Sequence, residues 1–184
     1  MFSESMTKED FIAFLANASQ STIDELAFKS TVKQDYIYFL KLLLFKRLIN
    51  NPKNRIGQSL IHTSVIHNNI DAISLLLDSG LNVNETDDDL RTPLHLAMMP
   101  QINPEIISIL INNEADINAL TERLETPIFL ACQYNNSKAV ELLLATKKCD
   151  ISYPNDLGQE PLFFAYKNNN KQILRLFKDY KEEK

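Results

Sequence analysis

The sequence predicts an all-α solenoid in which pairs of short helices stack side by side, and three observations lead to this prediction. The motif Arg-Thr-Pro-Leu-His-Leu-Ala at residues 91–97 returns three times in weaker form. The four copies begin at residues 59, 92, 126 and 160, so their spacing is 33 or 34 residues. A second apolar block follows each copy at a matching distance, at residues 73–77, 107–111, 140–144 and 174–177. A repeat of this length indicates helix pairs that bury their apolar faces only by stacking on their neighbours.

The Thr-Pro-Leu-His-x-Ala pattern is complete at residues 92–97, and through it the sequence resembles the ankyrin-repeat family over about residues 54–180. The resemblance implies an ankyrin-repeat solenoid of stacked helix-turn-helix units with short hairpin loops. The repeats would span about residues 54–86, 87–120, 121–154 and 155–180. The resemblance also implies a noncatalytic scaffold that binds a partner protein through its concave face and hairpin tips.

The positions of the motif have physical reasons. Proline suits the first turn of a helix, where its missing N–H would have no partner. Thr92 is placed to cap that helix by accepting a hydrogen bond from a free backbone N–H. The family resemblance implies that His62 and His95 bond backbone groups of neighbouring repeats. Repeats three and four carry Phe129 and Phe163 at this position, and we expect both rings to replace the hydrogen bonds with packing.

Residues 1–53 do not show the repeat and are predicted to form three helices, beginning near Thr7, near Ser21 and near Val32. The third would run to about residue 49. We interpret the region as a helical N-terminal cap of the ankyrin-repeat domain at residues 54–184, because the ends of a repeat array need covering. The third helix would lay four leucines against repeat one: Leu40, Leu43, Leu44 and Leu48. The alternative is a separate module with its own activity.

Several repeats depart from the family pattern at glycine positions. Leu90 and Leu124 replace glycine in the loops of repeats two and three. Glu114 and Lys147 stand where a glycine would end the second helix of a repeat. At Glu114 we therefore expect either a strained backbone or a different helix end. Lys178 and the polar tail at residues 181–184 indicate that the fourth repeat is the C-terminal cap.

Composition and motifs exclude several function classes. The 184 residues include 19 basic and 24 acidic side chains, and the net charge of −5 argues against nonspecific binding to nucleic acid. The longest apolar run, residues 36–45, is too short to cross a membrane. No nucleophile elbow, zinc-binding His-Glu-x-x-His motif or phosphate-binding loop is present. We therefore expect a monomer that is not an enzyme and needs no metal or cofactor.

Two local groups of residues could suggest a metal site or a disulfide, but their number and spacing support neither. Asp87, Asp88 and Asp89 lack the ligand spacing of a calcium loop, so we interpret them as a solvated hairpin tip. Cys132 and Cys149 are too few for a disulfide framework and wrongly spaced for zinc, so both are expected to be reduced thiols of a cytosolic protein.

The sequence contains eighteen asparagines, which we interpret as a low-GC coding bias rather than a structural feature. In this respect it resembles the short ankyrin effectors that intracellular bacteria deliver into host cells. That resemblance implies an alternative function, a host-directed effector or adaptor whose N-terminal helices carry a second binding or catalytic activity. The location would then be the host cytoplasm.

In the ankyrin family, residues just before the capping threonine and at the end of the first helix of each repeat face the concave groove. Mapped by this resemblance, the hairpin-side positions are Gln58, Asp88, Asp89, Arg91, Glu122, Arg123, Glu125 and Gln159. The helix-end positions are Ile66, His67, Met99, Gln133 and Tyr134. We expect Ile66, Met99 and Tyr134 to form an exposed apolar row beside acidic tips, although scattered surface apolarity is the alternative. The implied partner protein presents apolar anchors with basic residues beside them.

Overall fold

The computed structural model describes residues 8–33, 36–45 and 48–182, and these residues form eleven α-helices and no strand. Three helices precede the repeats: α1 (Lys8–Ala16), α2 (Gln20–Val32) and α3 (Ile37–Phe45). Each repeat then contributes two helices: α4 (Leu60–Ile66) and α5 (Ile70–Asp78), α6 (Pro93–Leu96) and α7 (Pro104–Asn112), α8 (Pro127–Gln133) and α9 (Ser137–Ala145), and α10 (Pro161–Lys167) and α11 (Lys171–Glu182). The predicted all-α solenoid is confirmed.

The helices form two layers. In the first layer, α2, α4, α6, α8 and α10 contact one another in series. In the second, α3 contacts α5, α7 contacts α9, and α9 contacts α11. The apolar faces of both layers meet in one continuous core, where Leu60, Ile73, Ile106, Val140 and Ile173 are completely buried. Each pair is thus covered by the pairs beside it, as the repeat period predicts.

The N-terminal helices differ from the prediction in their boundaries. The second begins at Gln20, one residue before the predicted start near Ser21, because the hydroxyl oxygen of Ser19 accepts the N–H of Thr22 at 3.3 Å and caps the helix. This helix also includes Val32, so the predicted start of the third helix near Val32 is wrong, and the third helix begins at Ile37. Residues 48–50 are not helical, so the predicted extension to residue 49 is wrong as well. The predicted start at Thr7 lies outside the described residues.

The N-terminal helices continue both layers of the solenoid. Leu40 and Leu43 of α3 are completely buried, and Leu44 and Leu48 pack against the core from partly exposed positions. The side chain of Asn69, which caps α5, donates to the carbonyl oxygen of Thr31 in α2 at 3.1 Å. Asn136 and Met98 repeat this bond at 3.0 Å with the same separation of 38 residues. The α2 helix therefore lies before repeat one as α6 lies before repeat three.

The residues that end the second-layer helices adopt the left-handed backbone typical of glycine even where glycine is absent. Gly80 ends the helix of repeat one with φ of 85°, in the left-handed region. Glu114 and Lys147 occupy the equivalent positions with φ of 66° and 59°. Of the two alternatives left open at Glu114, the strained backbone is the one observed. A side chain in this region has a less favourable backbone than glycine because its Cβ approaches the following carbonyl.

The two phenylalanines at the histidine position behave differently. Phe129 is completely buried and meets Phe164 of α10 edge-on, with ring centroids 5.3 Å apart. Packing between repeats replaces the hydrogen bond there, as predicted. Phe163 is exposed, so the prediction is wrong for this residue. Within the described residues α10 packs on α8 and α11, and no further repeat covers the side of α10 that carries Phe163.

Many asparagines bond one repeat to the next. The side chain of Asn84 accepts the N–H of Asp116 at 2.7 Å and donates to the carbonyl oxygen of Glu114 at 3.1 Å. Asn118 makes the equivalent pair of bonds with the following repeat at 2.9 and 3.0 Å. Because these amides satisfy backbone groups across repeat boundaries, the interpretation of the asparagines as coding bias alone is wrong for these residues.

Candidate partner-binding surface

All four hairpin loops use the same turn. A side-chain oxygen at the start of each loop accepts two backbone N–H groups, two and four residues later. In the first loop, Asn54 accepts from Ile56 at 3.1 Å and from Gln58 at 3.0 Å. The same role falls to Asp87, Thr121 and Asn155 in the other loops. Because the turn repeats, equivalent residues of successive loops occupy equivalent places.

Asp87 belongs to this turn and not to the solvated tip. Its carboxylate is buried, accepts the loop N–H groups and lies 2.9 Å from the guanidinium of Arg91. Asp88 and Asp89 are exposed, and Asp89 also lies 2.9 Å from the same guanidinium. The prediction of a solvated triple aspartate is therefore wrong for its first residue, because a side-chain acceptor at this position closes the loop.

Each loop is also bonded to the next. The N–H of Asp88 donates to the carbonyl oxygen of Ile56 at 3.3 Å, and the N–H of Glu122 donates to that of Asp89 at 2.9 Å. The N–H of Asp156 donates to the carbonyl oxygen of Arg123 at 3.0 Å. Since every loop is closed by its own turn and tied to its neighbour, the side chains at the tips hold fixed spacings along the stack.

Each tip exposes one large aliphatic side chain. This loop-tip row consists of Ile56, Leu90, Leu124 and Leu157, whose exposed fractions are 53 %, 48 %, 41 % and 67 %. Leu90 and Leu124 have φ of 58° at the position where the first and fourth loops have Gly57 and Gly158. Leucine in this conformation is disfavoured by roughly 1–2 kcal/mol relative to an ordinary backbone. Strain that persists at an exposed apolar residue is a feature typical of functional surfaces.

The prediction from sequence missed the loop-tip row. It identified Leu90 and Leu124 as replacements of glycine but did not treat them as a surface, and it did not single out Ile56 or Leu157. The signal that could have found the row is an aliphatic residue at, or directly before, the glycine position of every loop.

The predicted row at the helix ends is only partly exposed. Ile66 and Met99 are half-buried and pack against the core, so their predicted exposure is wrong. Tyr134 and His67 are exposed as predicted, and Gln133 is half-buried.

The predicted hairpin-side positions separate into two groups. Asp88, Asp89, Glu122 and Arg123 are exposed, whereas Arg91 and Gln159 are half-buried. Gln58 and Glu125 are buried, which contradicts their predicted place on an open face. They lie at the base of the loop, where the amide oxygen of Gln58 accepts from Asn54 at 3.0 Å.

The structure brings seven predicted residues together around one cavity of about 370 Å³, which we call the repeat 2–3 pocket. Five of them are charged: Asp89, Arg91, Glu122, Arg123 and Glu125. Gln133 and Tyr134 complete the predicted set, and Leu130 adds an apolar wall. Burial raises the pKa of the Glu125 carboxyl, although nearby Arg123 acts in the opposite direction. The other six predicted residues lie outside this pocket.

The two motif histidines are structural. The Nδ1 atoms of His62 and His95 accept the backbone N–H three residues earlier, at 3.2 and 3.0 Å, so the proton is on Nε2. His62 then donates to the carbonyl oxygen of Arg91 at 2.8 Å, and His95 to those of Ala119 and Glu125 at 3.1 Å. Burial lowers the pKa of both imidazoles, that of His95 to about 4. In each histidine Nδ1 is engaged within its own repeat and Nε2 across the repeat boundary, as the family resemblance implied.

The capping threonines follow the prediction where no histidine is present. The hydroxyl oxygen of Thr126 accepts the N–H of Phe129 at 3.3 Å. In repeat two Thr92 and His95 form a capping box, in which the Thr92 side chain faces the backbone N–H of His95 and the ring of His95 accepts the N–H of Thr92. The hydroxyl of Thr92 also lies 2.9 Å from Nδ1 of His95. The first-turn N–H groups and the histidine thus share one network.

The described residues offer little that indicates a metal site, a membrane span or a reactive thiol. Among the described residues, no three or more His, Cys, Asp or Glu side chains are grouped so that they could hold a metal ion. In the same part of the chain, every helix is too short or too polar to cross a bilayer. Cys132 and Cys149 are buried and not joined in a disulfide. Burial raises the pKa of the Cys132 thiol to about 12, so it stays protonated.

The stacked helix pairs, the histidine network and the tied loops define a helical repeat protein. A family model of ankyrin repeats (three copies) matches residues 30–121 and 101–184, and the chain therefore belongs to the ankyrin-repeat family. The first match begins within α2, upstream of the predicted repeat boundary at residue 54. Ankyrin repeats are generally protein–protein interaction modules. A search of curated proteins found no match.

Proposed function

We propose that this protein is a noncatalytic scaffold that binds a partner protein along its loop tips and the adjoining concave face. The loop-tip row carries the proposal. Four aliphatic side chains, one per repeat, are held at fixed spacing by backbone hydrogen bonds between loops, and two keep a strained backbone. A row of exposed apolar side chains rimmed by polar groups is the usual composition of a binding surface.

The charges beside the row favour a partner with basic residues. Asp88, Asp89, Glu122 and Asp156 are exposed at the tips. Arg91 and Arg123, the basic residues of the second and third loops, each lie near acidic partners. The remaining acidic excess and the net charge of −5 would attract a positively charged surface. The partner would insert apolar anchors among the tips and place basic residues beside them.

The concave side adds Tyr134, His67 and Gln133 to this surface. Tyr134 supplies an exposed ring next to the repeat 2–3 pocket, and aromatic residues of this kind often anchor interfaces. Ile66 and Met99 contribute less, because both pack largely against the core. We also propose that the protein is a monomer in a reducing, cytoplasmic environment, which fits two buried free thiols.

The alternative function, a host-directed effector or adaptor with a second site in its N-terminal helices, draws on one observation. A shallow depression of about 380 Å³ lies on α2 and extends to the residues that follow it. Its wall is largely apolar, with Phe28 half-buried and Val32 exposed. A second partner could use this surface without competing for the loop tips.

Affinity capture with matched variants tests the proposal. Leu90→Gly with Leu124→Gly removes half of the loop-tip row and suits the left-handed backbone at both sites. Tyr153→Ala is the control, because it removes an exposed aromatic side chain outside the row. We expect quantitative mass spectrometry to show proteins captured by the native chain and the control and lost with the double variant. Identical captured sets for all three would refute docking at the tips.

A further inference from the structure

We infer that the repeat 2–3 pocket binds one basic side chain, lysine or arginine, of the partner protein, and that Glu125 is its acceptor. The inference rests on the proposed function and specifies what the partner presents beside its apolar anchors. It is carried by a carboxylate that lines the pocket and has no hydrogen-bond or ion-pair partner within the described residues.

Glu125 is only 9 % exposed as a residue, and its side chain lines the pocket. Its backbone N–H donates to the hydroxyl of Thr121 at 3.2 Å, and its carbonyl oxygen accepts from His95 at 3.1 Å. Within the described residues, no hydrogen bond or ion pair reaches the carboxylate itself. The oxygens are therefore left to solvent in the free protein. A cation entering the pocket would add a charge-assisted hydrogen bond at a partly desolvated site.

The equivalent positions of the other three loops show why Glu125 is different. Gln58 and Gln159 each accept from an asparagine at the start of their own loop, at 3.0 and 3.4 Å. Arg91 pairs with Asp87, the aspartate that starts its loop, at 2.9 Å. The third loop starts with Thr121, whose short hydroxyl already accepts two backbone N–H groups. Of these four equivalent residues, Glu125 is the one that has no side-chain partner within the described part of the chain.

The rest of the pocket fits a basic side chain. Arg91 is neutralised by Asp87 and Asp89, and Arg123 lies 3.8 Å from Asp156. The lining of Glu122 and Glu125 is therefore left with negative charge. Leu130 and Tyr134 offer an apolar wall and an aromatic ring for the methylene stem of lysine or the plane of arginine.

The pocket also lies beside the loop-tip row. Leu124 directly precedes Glu125, and Leu90 belongs to the neighbouring loop, whose Asp89 is bonded to Glu122. A partner segment that places an apolar residue between these leucines can therefore extend a neighbouring basic residue into the pocket. Burial raises the pKa of Glu125, and the nearby Arg123 offsets this only in part.

A random peptide display library panned on the native protein provides the probe. We expect the selected peptides to be enriched in lysine or arginine next to aliphatic residues. Glu125→Gln should weaken their binding at least tenfold, and replacing the basic residue of the peptide by glutamine should give the same loss without adding to it. Glu141→Gln removes an equal charge from α9, outside the pocket, and should leave binding unchanged.

The outcomes separate the inference from the proposed function. Selected peptides that lose affinity with Leu90→Gly and Leu124→Gly, but not with Glu125→Gln, would overturn the pocket and leave the scaffold proposal standing. A selection without any binder would contradict both. Glu125→Gln should melt at the same or a higher temperature than the native chain, because glutamine already occupies this position in repeats one and four. A clear fall would show that Glu125 has a structural role instead, and would overturn the assignment.

Discussion

The Nε2 atom of His95 donates a hydrogen bond to the carbonyl oxygen of Glu125, 3.1 Å away in the next repeat. This one bond joins the histidine network, which holds repeats two and three together, to the residue that lines the repeat 2–3 pocket. It requires a neutral imidazole, because Nδ1 already accepts the N–H of Thr92.

We expect this arrangement to make stability depend on pH. Burial lowers the folded-state pKa of His95 from 6.5 to about 4, so between these values the unfolded chain binds a proton that the folded chain excludes. The stability associated with neutral His95 is fully present above pH 6.5 and is lost as the pH drops toward 4. The resulting fall in the free energy of unfolding amounts to about 3 kcal/mol for His95. His62 should add a smaller loss in the same direction.

Urea unfolding at a series of pH values measures the effect. His95→Phe places at this site the residue that repeat three carries, and its unfolding free energy should vary less between pH 6.5 and 4 than that of the native chain. His67→Gln, which changes an exposed histidine, is the control. Equal pH dependence in the native chain and His95→Phe would contradict the assignment.

The strained leucines give a prediction with opposite effects on stability and binding. Leu90→Gly and Leu124→Gly should each raise the free energy of unfolding by about 1 kcal/mol, because glycine adopts the left-handed backbone without a Cβ contact. The same substitutions should weaken partner binding. The free energy is measured by denaturant unfolding of each single variant.

Gly158→Leu is the reverse control. A Cβ on Gly158 meets no atom within 4 Å, so the change introduces the backbone strain alone, and stability should fall by a similar amount. Gly57 is not suitable for this comparison, because a Cβ there would lie 2.6 Å from the backbone nitrogen of Asp88. If the Leu90→Gly and Leu124→Gly variants were less stable than the native chain, the two leucines would support the fold rather than strain it.

The fold was predictable from sequence because it depends on periodic features. The apolar blocks and the Thr-Pro-Leu-His motif repeat every 33 or 34 residues, and each marks a helix that the structure contains. The N-terminal boundaries were less predictable, since Val32 is apolar in the sequence and yet lies exposed at the end of α2. Their assignment depends on the cap at Ser19 and on packing against repeat one.

The candidate surface was predictable only in part. Family positions identified seven of the residues around the repeat 2–3 pocket, but they did not distinguish buried Gln58 and Glu125 from exposed Glu122. Burial there depends on which side chain starts each loop and on how closely the next repeat approaches. Likewise, the bonds made by Asn84 depend on the distance between repeats, which the sequence of one repeat does not contain.

The helix-end residues Met99 and Tyr134 should separate stability from binding. Met99 packs against the core, so Met99→Ala should lower the melting temperature by several degrees, as the loss of buried methylenes requires. Tyr134 is exposed, so Tyr134→Ala should leave the melting temperature nearly unchanged and weaken the binding of a captured partner by about 2 kcal/mol. Calorimetry and a binding titration on each single variant test this division. If Met99→Ala left the melting temperature unchanged, the side chain of Met99 would not support the core. The predicted row of Ile66, Met99 and Tyr134 would then be the better interpretation.

The N-terminal region gives the last prediction, that residues 1–53 act as the cap of the solenoid. Leu40 and Leu43 are completely buried, α2 contacts α4, and α3 contacts α5. Leu43→Ala should therefore cost about 2–5 kcal/mol, whereas Lys41→Ala, at an exposed site of the same helix, should have little effect. A truncated protein beginning at Asn54 would expose the apolar sides of α4 and α5, and we expect it to aggregate or to lose cooperative unfolding. Light scattering and thermal unfolding measure both properties. If the truncated protein were soluble, monomeric and cooperative, the N-terminal helices would be a separable module, and the apolar depression on α2 would become the better place to seek a second partner.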